Sequence, residues 1–319
     1  MRILVIKLGA LGDFILAMGP MARIRDAHPE AEISLLTTPA FGAIARASGY
    51  FDNVFDDGRP RGWAAEWRLI RRLRLADYDR VYDLQTSGRS SRYFQALWPK
   101  RPQWSGIARG CSHPHCNPNR NSMHTLERQA DQLRDAGIWD DAPISPGSAP
   151  TPDLSWMAVH ADVATVQGLK PPFALLVPGS SRTRLDKRWP AALFADLARR
   201  LMLKGYGVGV VGGPAEPDLA GSIVAQAPGA VDLTATNLFD IAGLAAKAVL
   251  CVGNDTGPTH LIAAVGAPTL TLFSDASDPV LAAPRGARAA YIHLPSLADL
   301  RVESVLEAAA ALPSFGKIG

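Results

Sequence analysis

The chain has 319 residues, of which 47% are hydrophobic and 20% charged. That is enough for two domains that each bury a core, and it excludes a disordered or fibrous protein. A formal net charge of +3 does not demand a nucleic-acid partner, although it permits an anionic one; three cysteines make no disulfide framework, so a reducing compartment, the cytoplasm, is expected.

Strand and helix signals alternate from the start. Residues 2–7 read as a buried strand, 8–12 as a turn and 13–28 as a helix. This opening has the early Arg2 and Lys7, the apolar stretches and the small residues of a secretion signal. Lys7, Gly12 and Asp13 interrupt it, however, so no cleavage is expected. No apolar run reaches the ~18 residues of a membrane span. Strands follow at 32–37, 53–55, 80–84 and 103–107, with helices near 41–48, at 63–75 and at about 90–97. The chain is then expected to be irregular through 121, before a helix at 124–136. The pattern is one doubly wound domain.

Residues 140–153 hold Pro143, Pro146, Pro150 and Pro152 with Gly147, the composition of a linker, which divides the chain into domains 1–150 and 151–319. The alternation restarts with a helix over 154–167 and a strand at 173–177. A helix at 190–204, a strand at 207–211, a helix near 217–227, a strand near 231–233 and a helix at 238–246 follow. A strand at 248–252, a short helix within 258–265 and a strand at 268–273 complete the series. The amphipathic segment 300–312 is expected to pack back onto the first domain. The fold class is α/β, with two Rossmann-like parallel-sheet domains facing a cleft.

Four stretches carry chemistry. CVGNDTGPTH at 251–260 places Asn254, Asp255, Thr256 and Gly257 where a strand hands over to a helix. That is the carboxyl edge of the sheet, and a helix start there is an anion site. Asp255 or Thr256 as a plain helix cap is the competing reading. An aspartic protease is excluded, since that chemistry needs two such carboxylates in a β-rich chain. His260 lies one turn along, facing the same pocket or simply the core. In KLGALGD at 7–13 the dinucleotide fingerprint is absent, and an anionic Asp13 would repel a pyrophosphate. A carboxylate there suits a general base, or again a cap. PGSSRTRLDKRWP at 178–190 offers hydroxyls at Ser180 and Ser181, and positive charge at Lys187 and its arginine neighbours. It is a phosphate loop or a solvated basic one. Finally, Glu216 in GGPAEP at 212–217 is placed to accept from ribose hydroxyls.

These strings, with YDRVYDLQ at 78–85 and GNDTGPTHLIAAVGAPTLTLF at 253–273, run the length of the chain. In that order and spacing the sequence resembles the ADP-heptose:lipopolysaccharide heptosyltransferase family, glycosyltransferase family 9, of the two-domain GT-B architecture. The resemblance implies an inverting transfer of heptose from ADP-heptose to an acidic lipopolysaccharide-core-type acceptor, with Asp13 taking the proton from the acceptor hydroxyl. It implies that Ser180, Ser181 and Lys187 hold the diphosphate, with Lys187 offsetting charge on departing ADP. Glu216 then contacts the ribose, Thr236 or Asn237 lines the adenine pocket, and Asp255, Thr256, Gly257 and His260 contact sugar and pyrophosphate. No cofactor or metal ion is expected, because Lys187 and the helix dipole do what a divalent cation does elsewhere. The partners implied are an ADP-sugar and an anionic saccharide or glycolipid, with no nucleic acid.

Where the family often has Gly and a Thr-rich turn after Phe273, this chain has SDASDP at 274–279. The donor sugar is therefore less constrained than its nucleotide. A transferase of the same fold using another nucleotide sugar, or a non-catalytic sugar-nucleotide-binding protein, is the alternative. On the acceptor side, Gly12, Arg68, Arg71, Arg72 and Arg109 are the candidates. Arg59, Arg61 and Arg74 crowd the same basic stretch, which suits an acidic glycolipid or peripheral contact with an anionic inner membrane face, and otherwise is a solvated face. CSHPHC at 111–116 looks superficially like a zinc site, but adjacent His115 and Cys116 with a proline inside make a poor tetrahedral set.

Overall fold

The computed structural model describes residues 1–139, 144–149, 151–163, 166, 168–181, 183–213 and 217–313. It divides into two compact units, Met1–Pro150 and Thr151–Gly319.

The first unit runs β1 (Arg2–Ile6), α1 (Leu11–Ala27), β2 (Glu32–Leu36), α2 (Pro39–Ala47), β3 (Asn53–Phe55) and α3 (Trp63–Leu75). It continues with β4 (Arg80–Asp83), α4 (Gly88–Ala96), β5 (Gln103–Gly106), β6 (His113–Pro114) and α5 (Thr125–Asp135). The strands pair in parallel in the order β3-β2-β1-β4-β5-β6. Central β1 is apolar from Ile3 to Ile6, all fully buried, as expected of a parallel strand covered on both faces. The turn after it needs Gly9. Its φ is +108°, and a β-carbon there would sit 2.7 Å from the Phe41 ring. Within 108–121, expected to be irregular, His113–Pro114 adds a short strand beside β5, and Arg120–Ser122 forms a 3-10 turn.

The second unit runs β7 (Phe173–Val177), α6 (Ala191–Leu203), β8 (Gly207–Val210), α7 (Pro217–Gln226), β9 (Val231–Asp232) and α8 (Leu238–Ala245). Then come β10 (Leu250–Asn254), α9 (Gly257–Val265), β11 (Thr269–Phe273), α10 (Pro279–Ala282), β12 (Ala289–His293) and α11 (Val302–Ala310). Its parallel sheet has the order β12-β11-β10-β7-β8-β9. Strands β7, β10 and β11 are buried at every position.

Two expectations are corrected. Residues 154–167 do not form one α-helix: Ser155–His160 is a 3-10 turn. Tertiary contacts pull the segment off the helical ladder. The Leu154 N–H donates to Ala264 of α9, the Asp162 N–H donates to the Asp240 carboxylate of α8, and His160 stacks edge-on against Phe239. The terminal helix α11, expected on the first domain, instead buries Val302, Val305 and Ala309 in the core of its own unit, beside α6 and β11. Trp189, 1% exposed, fixes this approach by donating its indole N–H to the Leu300 carbonyl at 2.9 Å.

Candidate functional site

Each sheet reverses its winding once, between β1 and β4 in the first unit and between β7 and β10 in the second. The crevice outside such a switch point is where open α/β sheets bind ligands. In the second unit the loop leaving β7 carries Ser180 to Lys187, and the turn leaving β10 carries Asp255 to Gly257. The two stretches singled out for anion binding therefore flank one crevice, although some 70 residues of chain separate them.

Asn254 joins them. It is fully buried, donates its amide to the Pro178 carbonyl at 2.7 Å and accepts the Trp189 N–H at 3.0 Å, so one side chain clamps both ends of the loop. Gly253 beside it admits no β-carbon, which would meet Thr259 Oγ1 at 2.5 Å and Val177 Cβ at 2.8 Å. The missing side chain lets the first turn of α9 close down on β10, where the Thr259 hydroxyl donates to the Asn254 carbonyl. A third element holds the loop from the other side. Ser274 donates to the Asp186 carbonyl at 2.8 Å, and Arg184 donates to the Ala276 carbonyl.

Asp255 does not cap α9. Thr256 stands at the cap position, and its side chain makes no capping bond. The Asp255 carboxylate instead takes the Lys187 ammonium at 2.6 Å and lies 3.4 Å from His260 Nε2. Burial alone would raise its pKa, but hydrogen bonds and charge from His260 and Lys187 outweigh burial and hold Asp255 well below the usual carboxylate range. His260 is 4% exposed, and its Nδ1 has no partner among the described residues. Lysine, carboxylate and imidazole thus converge with the amino end of α9, a set that binds an anion and hydroxyls together.

The hydroxyl of Ser180 is engaged within the loop, donating to the Arg184 carbonyl and accepting from Arg188, while Ser181 is exposed. Thr236 is half-buried after β9. Exposed Asn237 caps α8, its oxygen accepting the N–H groups of Phe239 and Asp240. Glu216 lies outside the described residues.

In the first unit the switch point holds Asp13 in the first turn of α1, next to half-buried Gly12. The Asp13 carboxylate accepts the Ala10 N–H at 3.2 Å, so it has the capping contact, and its charge also reaches buried Lys7 and Arg128 of α5. Lys7 donates to the Leu84 carbonyl at 3.2 Å, and the Leu8 N–H donates to Gln85 at 2.7 Å, tying the β1 turn to the β4 turn. Beside that turn is a cavity of about 250 Å³ lined by Leu8, Arg59, Gln85, Ser87 and Arg89. The Arg68, Arg71 and Arg72 candidates line a different groove. Arg72 is held by Asp57 at 2.5 and 2.8 Å and stacks over Phe55, so its charge is neutralised in place. Arg109 is exposed, its carbonyl accepting from Gln95. Gln85, Ser87 and Arg89 were not singled out in sequence; the signal was their position just after the strand that neighbours β1.

The CSHPHC loop does not converge on one point. Cys111 is buried, Cys116 is exposed, His113 meets Ser112 and Arg80, and His115 turns inward to Asp131 at 2.9 Å. His115, Asp131 and Asp135 lie close enough to share an ion. Asp131, however, already accepts from Asn117 and pairs with Arg134, which makes the cluster a hydrogen-bonded prop under α5.

Two Rossmann-like parallel-sheet units, the second with a lysine-bearing anion crevice, have the two-domain GT-B architecture. The family model described as glycosyltransferase family 9 (heptosyltransferase) matches residues 66–308. Lipopolysaccharide heptosyltransferase 1 of Pseudomonas aeruginosa is 28% identical over 291 residues, covering 86% of this chain and 78% of that protein. Among solved structures, a family 9 glycosyl transferase from Veillonella parvula has a TM-score of 0.79 at 21% identity, covering 97% of this chain and 95% of its own. The Escherichia coli heptosyltransferase WaaC, solved with ADP, has a TM-score of 0.74 at 20% identity, covering 97% and 98%. The chain belongs to glycosyltransferase family 9, the heptosyltransferases, and is an enzyme of that class.

Proposed function

We propose that this enzyme transfers a heptose from ADP-heptose to an acidic acceptor of the lipopolysaccharide core, with inversion at the anomeric carbon. The observation that carries the reading is the Lys187–Asp255 pair, at 2.6 Å, in the switch-point crevice at the amino end of α9. Names support it too: the Pseudomonas relative is a lipopolysaccharide heptosyltransferase, and the solved WaaC holds ADP.

In this reading domain 151–319 holds the donor and domain 1–150 the acceptor. The diphosphate sits against Lys187, the loop at Ser180 and Ser181, and the free N–H groups of Thr256 and Gly257. Asp255 and His260 turn to the sugar hydroxyls, Glu216 to the ribose, and Thr236 or Asn237 to the adenine. Asp13 accepts the acceptor hydroxyl proton as that oxygen attacks the anomeric carbon. The bond from that carbon to the phosphate oxygen breaks, and ADP leaves as an anion whose growing charge is met by Lys187 and the α9 dipole. Preplaced donors of this kind supply what a metal ion would, and no cofactor enters the scheme. Arg59 and Arg89, flanking Gln85 and Ser87, take the anionic part of the acceptor.

A second donor remains in play because the Ser274 turn, which departs from the family pattern, braces the phosphate loop at Asp186. A thermal-shift panel over ADP-, GDP-, UDP- and dTDP-sugars separates the two. Stabilisation by ADP-heptose supports the reading, and stabilisation only by another nucleotide's sugars replaces the donor.

A further inference from the structure

The loop leaving β7 is closed on itself. The Arg184 N–H donates to the Ser181 carbonyl at 2.9 Å, Leu185–Lys187 forms a 3-10 turn, and the Arg188 N–H donates to the Leu185 carbonyl at 3.1 Å. The loop's cations have separate tasks. Lys187 reaches Asp255 after β10, and Arg184 reaches the Ala276 carbonyl in the turn after β11. Arg188 folds back into the loop instead. Half-buried, it donates from Nε to Ser180 Oγ at 3.0 Å and from Nη2 to the Ser180 carbonyl at 3.3 Å. A planar guanidinium can hold two oxygens of one residue in this way, which a point-like ammonium cannot. Its backbone has a firm base, because Trp189, next in the chain, is buried and donates its N–H to Asn254.

The grip is passed on to Lys187. Ser180 is buried and has one hydroxyl proton, which it gives to the Arg184 carbonyl at 2.8 Å, with the Ser181 carbonyl at 3.2 Å beside it. The same Arg184 carbonyl accepts the Lys187 N–H at 3.2 Å. A continuous set of hydrogen bonds therefore runs from the Arg188 guanidinium through Ser180 to the backbone of the lysine that meets Asp255. A phosphate oxygen would recruit the Ser180 proton only by opening the loop.

We propose that Arg188 is a positioning residue for the transfer: by gripping Ser180 it fixes the phosphate loop in the shape that sets Lys187 against Asp255. Ser180 then serves the donor through that shape and not through its hydroxyl. This role rests on the reading of the crevice as the diphosphate site. Groups fixed before the ligand arrives need less ordering on binding, so releasing the latch shows as lost donor affinity.

Titration calorimetry with ADP tests it on the wild type, Arg188→Gln, Arg188→Lys, Ser180→Ala and the double variant of Arg188→Gln with Ser180→Ala. KM for ADP-heptose and for an inner-core saccharide, and urea unfolding, are measured beside it. Arg188→Gln is expected to raise the ADP dissociation constant and the donor KM about tenfold or more, with the acceptor KM unchanged. Arg188→Lys should lose nearly as much, because it keeps the charge but not the fork. The double variant should bind no more weakly than the weaker single one, since both substitutions release the same latch. Wild-type affinity in Arg188→Gln overturns the proposal. So does wild-type affinity in Arg188→Lys, or additive losses in the double variant, either of which puts the arginine's charge directly on the phosphates. An affinity loss that only follows a fall in the urea midpoint makes Arg188 a general prop and overturns it too. A wild type that binds GDP, UDP or dTDP in place of ADP removes the donor reading alone, and the same variants are then compared with that nucleotide. Binding of none of the four overturns both.

Discussion

Lys187 and Asp255 hold each other at 2.6 Å in a place where neither is free to relax into water. Removing the cation leaves a carboxylate whose side chain is 8% exposed, with His260 its remaining partner among the described residues, and such orphaned charges cost about 3–5 kcal/mol. Lys187→Ala is therefore expected to lower both stability, read by urea unfolding, and turnover, by about 10²-fold or more. A variant that loses turnover at full stability would separate the catalytic from the structural share. Asp83 behaves in the opposite sense. It is fully buried at the end of β4, one carboxylate oxygen has no partner among the described residues, and burial raises its pKa from 3.8 to about 6 despite N–H bonds from Gln85 and Thr86. Its ionisation thus works against the fold: the stability it contributes is complete below the unfolded value and is lost as pH rises through about 6. The rise is equivalent to about 3 kcal/mol. Asp83→Asn should gain in melting temperature over the wild type as pH goes from about 4 to about 7. A difference constant across that range would contradict the assignment.

At the scale of elements, the parallel strands were readable because strands covered on both faces are near-continuous apolar runs, as FALLV is here. The segment 154–167 was not readable. Its helical pattern is local, whereas the bonds that unwind it reach Ala264 and Asp240, far along the chain. The fate of α11 was hidden for the same reason: an amphipathic helix declares that it has a partner but not which one. Within the site, the motif residues stood out as residue types at a strand end. The clamp by Asn254 did not, because it spans 76 residues to Pro178 and 65 to Trp189. Asn254→Ala should strand that carbonyl and N–H, cost about 2–3 kcal/mol, and raise the dissociation constant for ADP more than an exposed loop substitution such as Ser181→Ala. Titration calorimetry with ADP, beside urea unfolding, measures both; unchanged affinity would mean that the loop keeps its shape without the clamp.

For the whole molecule, the proposed scheme divides the work of a bisubstrate reaction between the two switch points. In that scheme the second unit would meet a sugar diphosphate with Lys187, Asp255, His260 and the amino end of α9, and the first unit holds Asp13 in α1 and a pocket lined by Arg59 and Arg89. The family's fold was legible from motif order alone. The pocket after β4 was not, since Gln85, Ser87 and Arg89 meet Leu8 only once β4 lies beside β1. The most direct test of the account is the rate of ADP release from ADP-heptose in the presence of an inner-core saccharide acceptor, measured for the wild type and for Asp13→Asn. The account predicts acceptor-dependent release by the wild type and a fall of about 10²–10⁴-fold in the variant, which keeps the side-chain shape but not the base. Full turnover by Asp13→Asn, or no acceptor-dependent release by the wild type, would contradict it.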